Sequence, residues 1–218
     1  MKASATAGQP CLSIPVGSPV EAILRPVCTA AQKLNRNDVC VLTAWRNRFV
    51  KSFLTEFEAN EARTEAWLTQ VVGPDPTRIH FMLDDARGRT VGYLGLALID
   101  WARGTGEADA VVRGAELAPG LMPRAFLTLL RWGYEQLGLE TLGARIRSDN
   151  PALGFFLKMA KETKRVPLRR IEEPGMIRWI EDETSATPAA SIVYVIFNRQ
   201  LPLDLRAAIR AGLLSSSA

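Results

Sequence analysis

The chain has 218 residues, 27 Lys+Arg against 23 Asp+Glu, a single histidine and 47% hydrophobic residues. That length supports one domain with a full core, and the hydrophobic share excludes a disordered chain. No apolar run approaches the roughly 20 residues that span a bilayer, and a net charge of +4 does not by itself define a nucleic-acid binder.

Residues 1–20, rich in Gly, Pro, Ser and Ala, read as a flexible N-terminal extension. Residues 21–200 read as a single domain and residues 201–218 as a C-terminal tail. The first seven residues lack the apolar core of a signal peptide. Cys11, Cys28 and Cys40 are odd in number and share no metal-ligand spacing, so free thiols and a cytoplasmic protein are expected. Residues 23–27 predict a short strand. Asn37 or Asp38 can cap a helix carrying Val41, Leu42, Trp45, Phe49 and Phe53 at helical spacing. Residues 60–72 predict a second helix, broken by Gly73-Pro74-Asp75-Pro76.

Three strands follow, at 80–83, 90–100 and 108–112. The long middle one is mostly apolar, as in a strand covered on both faces. Period two puts Glu107, Asp109 and Val111 on one face of the third strand, and Ala108, Ala110 and Val112 on the other. After a loop at 114–120 comes an amphipathic helix with Met122, Phe126, Leu129, Leu130, Gly133 and Leu137 in one stripe. Pro123 is tolerated in its first turn. A strand at 142–146 leads through Asn150-Pro151 to a helix at 152–161. Strands at 165–171 and 176–181 flank Glu172-Glu173-Pro174-Gly175, and 191–199 forms a final alternating strand. Single helices among hairpins predict an α+β fold: a mixed, mostly antiparallel sheet of about seven strands flanked by four helices. A Walker A loop and a GxGxxG turn are absent. His80, the lone histidine, excludes a multi-histidine metal site, lacks an accompanying GxSxG and reads as a structural or surface residue.

Several segments together resemble a known family. They are Leu137-Gly138-Leu139, then Arg145-Ile146-Arg147-Ser148-Asp149-Asn150-Pro151-Ala152, then Phe155-Phe156-Leu157-Lys158, preceded by Ile23-Leu24-Arg25-Pro26-Val27 and Trp45-Arg46-Asn47. Over about residues 23–199 the chain resembles the GCN5-related N-acetyltransferases, and most of all the branch that acetylates amino sugars on nucleotide carriers. The resemblance implies an acyl-CoA-dependent N-acyltransferase. Acetyl-CoA would be the cofactor and a small amine, a sugar nucleotide, the acceptor, reacting by direct attack in a ternary complex. No nucleic-acid partner and no membrane span are implied.

Residue roles follow from the resemblance. Val111, Val112, Arg113 and Gly114 lead into the cofactor loop, which Gly120, Leu121 and Met122 close. The loop keeps only its end glycines, but its chemistry needs backbone N–H groups at a helix N-terminus. Asn150 would contact the pantetheine arm, and Lys158 belongs to the same cofactor side. Glu107 is the expected base, with Asp109 as fallback. Arg46, Asn47, Asp100 and Trp101 would meet the acceptor. The family's tyrosine acid is missing: Phe156 or Leu157 stands there. A thiolate is a fair leaving group, so that loss need not abolish catalysis.

The charge surplus is local. Between Arg145 and Arg178 nine basic and four acidic residues give a net +5, expected to flank a phosphate-bearing ligand. Rival readings are a protein N-terminal or ribosomal-protein acetyltransferase of the same fold and a non-catalytic acyl-CoA-binding domain. The apolar final strand offers an edge for a homodimer.

Overall fold

A computed structural model describes residues 1–185 and 190–200. The expected tail at 201–218 lies outside the described residues. The elements run α1 (Lys2–Thr6), β1 (Ile14–Val16), β2 (Ala22–Pro26), α2 (Arg36–Arg48), β3 (Thr55–Glu56) and α3 (Glu61–Ala66), then β4 (Ile79–Asp85), β5 (Thr90–Asp100), β6 (Thr105–Arg113) and α4 (Leu121–Gln136). They finish with β7 (Thr141–Arg147), α5 (Leu153–Leu157), β8 (Ala160–Glu173), β9 (Met176–Glu181) and β10 (Ala190–Phe197). A π-helical turn, Trp67–Val72, prolongs α3.

Among the described residues ten strands join one sheet in the order β1-β2-β4-β5-β6-β7-β10-β8-β9-β3. Every neighbouring pair is antiparallel except β6 and β7. The α+β class is as expected, with three more strands than the seven expected. Two of the ten, β1 and β3, are only three and two residues long and sit at the sheet edges.

The expected flexible extension is partly core. Ile14 and Val16 alternate inward from β1, and Val16 is fully buried. Two apolar residues two apart suffice to pin a strand once β2 offers an open edge. The apolar final strand is not an edge either. β10 is paired on one side with β7 and on the other with β8, which removes the expected dimer seam.

The sheet has two covered faces. The stripe of α4 buries Phe126, Leu129 and Leu130 against Leu94, Leu96, Leu142 and Val195. Each such side chain contributes about 1.5–3 kcal/mol of burial. The opposite face carries Met82, Tyr93 and Val112 under Val39, Leu42 and Trp45 of α2 and Leu68 after α3. β5 serves both faces, which explains its apolar run. Helix α2 starts two residues earlier than its expected caps: the Asn35 side chain accepts from the amides of Asn37 and Asp38. Asp38 is buried instead and receives two hydrogen bonds from Arg25. Helix α5 is shorter than expected, because the chain turns at Lys158 and Met159 into β8.

Candidate active site

The parallel pair β6–β7 is hydrogen-bonded only from Thr105 to Glu107 against Thr141 to Gly143. Beyond that point β6 runs to Arg113 and β7 to Arg147 without pairing to each other. The result is a wedge, closed at Thr105 and open toward Arg113, with facing backbone edges free. Its local cause is in β6. Ala110 has φ 53°, and the β5–β6 register shifts between the Tyr93–Val112 and Gly95–Asp109 pairs. That bulge bends β6 at mid-strand.

The bulge also corrects the expected parity. Val111 packs with the α4 core, whereas Ala110 and Val112 pack on the α2 face. Glu107 and Asp109 pair with Ala97 and Gly95 of β5, on the α2 face too. Period two fails across one extra residue, as it must.

At the open end of the wedge the chain continues through the loop at 114–120 into α4. Gly114 lies flat under Trp45; a Cβ there would enter the indole ring. The amides of Gly114 and Ala115 both donate to Val91 O. Gly120 is the N-cap of α4, at φ 73°, with no side-chain cap. Leu121 is buried, and Met122 packs against β5 beside Gly92. Arg113 ends β6, exposed. Arg124 folds back to Glu21, 2.6 Å away, and to Pro119 O. An uncapped helix start with positive dipole, next to a glycine that permits close approach, suits a pyrophosphate. Asn150 follows β7 at the same end, its side-chain oxygen accepting from Ala152 N at 2.9 Å. Lys158 is exposed at the end of α5. Thus the expected cofactor residues on β6, in the loop that follows it and after β7 lie along the wedge and at its mouth.

The expected acceptor residues are scattered. Arg46 donates to the carbonyl and hydroxyl of Thr55, and its guanidinium lies 3.9 Å from the Phe53 ring centre and 4.6 Å from that of Phe57. Burial pushes its pKa down to about 10. Asn47 clips Ala59 with two hydrogen bonds, one to its carbonyl and one from its amide. Both residues shape the segment between α2 and α3. Asp100 accepts from the amides of Ala102 and Arg103 in the β5–β6 turn, and Trp101 is exposed at its tip. That turn adjoins the closed end of the wedge, so neither residue lies at its mouth.

Glu107 is held by Arg145, Nε to Oε2 at 2.7 Å. Arg145 stands opposite Tyr194 of β10, whose hydroxyl donates to Glu181. Burial and the Glu181 charge push the Tyr194 phenol up to about 12. Beyond Tyr194 is a depression of about 420 Å³ lined by Glu162, Thr163, Lys164, Glu181, Tyr194 and Ile196.

Asp109 has different company. Its Oδ2 lies 3.3 Å from His80 Nε2 and 3.9 Å from an Arg78 nitrogen. The Asp109 side chain is 41% exposed; that of His80 is fully buried. Burial alone would push the Asp109 carboxyl up, but His80 and Arg78 more than offset this and hold it below the ordinary range. His80 Nδ1 is hydrogen-bonded to the Tyr93 hydroxyl, and its ring leans on Trp67, 5.6 Å centre to centre. From the sequence His80 reads as a structural or surface residue. Its signal is the register: His80 pairs with Gly95, and Gly95 with Asp109.

The positive segment between Arg145 and Arg178 is largely neutralised locally. Arg147 pairs with Glu56 and Asp149, Lys164 with Glu183, Arg169 with Asp182, Arg170 with Glu172, and Arg178 with Glu173. Most of it lies on the β8–β9 hairpin rather than beside the loop at 114–120. A further cluster centres on buried Glu56, which accepts from Lys51, Arg147 and the Trp179 indole. Burial would raise its carboxyl, yet these donors lower it to about 2. The cluster ties β3 to β7 and β9.

A mixed sheet with one splayed parallel pair and an uncapped helix start at its mouth frames a cleft suited to a phosphate-bearing ligand. The acetyltransferase (GNAT) domain model matches residues 23–158, and the chain belongs to that family. No curated protein matches the sequence. A GCN5-related N-acetyltransferase from Brucella melitensis superposes with a TM-score of 0.60 at 18% identity, covering 94% of this chain and 87% of that one. The spermidine N-acetyltransferase from Vibrio cholerae in complex with CoA and spermine gives a TM-score of 0.58 at 14% identity, covering 81% and 96%. Both likenesses are of fold. By family the protein is an acyl-CoA-dependent N-acetyltransferase, with acetyl-CoA as donor. Among the described residues no helix is long and apolar enough to cross a membrane.

Proposed function

We propose that the protein acetylates a small primary amine that enters from the α2 face of the sheet and meets acetyl-CoA at the β6–β7 wedge. Bound acetyl-CoA supplies the activated acyl group. The free edges of residues 108–113 and 144–147 would take the pantetheine arm, with Asn150 at its exit. Gly120 and the start of α4 would take the pyrophosphate.

The observation that carries the catalytic reading is Asp109 at the bulge, half-exposed on the acceptor side where the wedge begins to open. An amine is an ammonium at neutral pH and must lose a proton before it attacks. A carboxylate there both attracts the ammonium and takes that proton. Glu107 is one turn of the pleat away and spent on Arg145, so we put Asp109 first and Glu107 second. With Phe156 buried among Phe126, Phe155 and Phe197, and Leu157 apolar, the departing thiolate takes its proton from water.

For the acceptor, a simple cationic amine fits better than the nucleotide-linked amino sugar. Arg46, the residue that would grip a nucleotide phosphate, is spent on Thr55 and two phenylalanines. Asp109 stays 41% exposed on that face, which suits a positive acceptor. The three free cysteines favour a cytoplasmic setting. Free-thiol release from acetyl-CoA should be measured with diamines, polyamines, amino-sugar nucleotides and N-terminal peptides. Fastest release with the di- and polyamines supports this reading. Preference for the sugar nucleotides would return that acceptor to first place, and preference for peptides would move it to a protein terminus.

A further inference from the structure

Resting on the reading of Asp109 as the carboxylate that meets the amine, we propose that His80 is its positioning residue and holds, jointly with Asp109, the proton that the acceptor gives up. Three observations carry this. His80 is the only histidine in the chain and its side chain is fully buried. Both ring nitrogens face polar groups, Nδ1 the Tyr93 hydroxyl and Nε2 the Asp109 carboxylate. Nε2 has no hydrogen bond that satisfies it, although it lies 3.3 Å from Asp109 Oδ2. A buried imidazole nitrogen left unsatisfied is costly, and here it is aimed at the carboxylate proposed to meet the acceptor.

The arrangement exists because of Gly95. His80, Gly95 and Asp109 form one row across β4, β5 and β6. The outer two meet above the central residue because it has no side chain. A Cβ on Gly95 would lie 2.5 Å from Ile79 O and 2.9 Å from His80 Cα.

The chemistry balances as one proton transfer. In the proton-free pair Nδ1–H donates to the Tyr93 oxygen, Nε2 carries a lone pair and Asp109 is ionised; in the proton-loaded pair Nε2–H faces Oδ2, and that is the form in which His80 lowers the Asp109 carboxyl. One N–H bond of the ammonium breaks and its electron pair stays on nitrogen as the nucleophile's lone pair. The proton passes to Asp109 and comes to rest between Oδ2 and Nε2, an imidazolium–carboxylate pair that later releases it to solvent. The groups that set the pair's charge are Asp109 on β6, Tyr93 on β5 and Arg78 before β4. Asp75, 3.3 Å from Arg78, and Lys2, which donates to Val72 O, stand behind them, and Trp67 supplies the apolar wall.

The test uses the full chain, acetyl-CoA and the fastest amine from the acceptor panel. His80→Gln should leave acetyl-CoA affinity within about twofold and lower turnover by about 100-fold. It should also remove the acidic limb of the kcat/KM–pH profile. His80→Asn, too short to reach Asp109, should not do better than His80→Gln. As the sole histidine, His80 gives a single assignable imidazole signal by NMR in the wild type. Its titration should coincide with that acidic limb and move to lower pH in Asp109→Asn. His80→Gln with a wild-type profile and rate would overturn the relay and leave the Asp109 reading standing. So would an imidazole that holds one state across the kinetic limb. Wild-type turnover in Asp109→Asn would overturn both.

Discussion

His80 and Asp109 sit on strands that do not touch, yet their side chains come to 3.3 Å because Gly95 lies between them without a side chain. The bulge at Ala110 begins one residue later and turns β6 away from β7. One row of the sheet therefore joins a buried imidazole to a half-exposed carboxylate at the edge of the wedge. The position of the site is a property of strand register, not of any local motif.

Gly95→Ala tests that row. The added Cβ meets backbone at Ile79 and the ring of His80, and backbone cannot yield cheaply. A loss of about 1–3 kcal/mol is expected from overpacking. In a chain of this size that lowers Tm by roughly 2–4 °C per kcal/mol. Thermal melting checks it. The His80 NMR signal should shift as well, since the ring is what the methyl displaces.

Glu107→Gln separates the two carboxylates. Glu107 is tied to Arg145 across the closed part of the wedge. Its loss should cost up to about 1 kcal/mol, as for partly exposed pairs. Turnover should fall much less than in Asp109→Asn. Steady-state kinetics on both variants with one amine decide which carboxylate the acceptor meets.

Glu56→Ala should be among the most destabilising polar substitutions. It removes one of the two carboxylates on Arg147, whose side chain is 5% exposed and which keeps Asp149, and it leaves the Trp179 indole without its acceptor. A buried donor left unsatisfied costs about 1–3 kcal/mol. The pH dependence has a definite sign. Because the folded carboxyl titrates at about 2 against 4.5 for the free group, its contribution is complete above about pH 4.5 and is lost as pH falls through 2. Acid unfolding of wild type and Glu56→Gln should converge at the low end of that window.

Arg46→Lys should reduce stability and leave the amine KM unchanged. Lysine keeps the charge but loses the planar group that bonds Thr55 and lies over Phe53 and Phe57. A raised amine KM with unchanged melting would return Arg46 to the acceptor site.

Much of the scaffold is readable from local pattern. The apolar run of β5, the stripe of α4 and the turn at Asn150 are set by side chains within a few residues of one another, and there the expected elements stand. What pattern cannot convey is pairing. Nothing near Ala110 marks a positive φ, so the parity of Val111 comes out inverted. Ile14 and Val16 become core only because β2 presents an edge to them. Arg46 and Asn47 look like ligand groups until the segment after α2 folds back and consumes their bonds. His80 looks inert until Gly95 brings Asp109 within reach.

The most direct test is thiol release from acetyl-CoA with a panel of small amines, wild type beside Asp109→Asn, with acetyl-CoA binding followed by thermal shift. The expected result is amine-dependent release by the wild type, a loss of about 100-fold or more in Asp109→Asn, and equal stabilisation of both by acetyl-CoA. Equal release by the two proteins, or none from either with any amine, would contradict it.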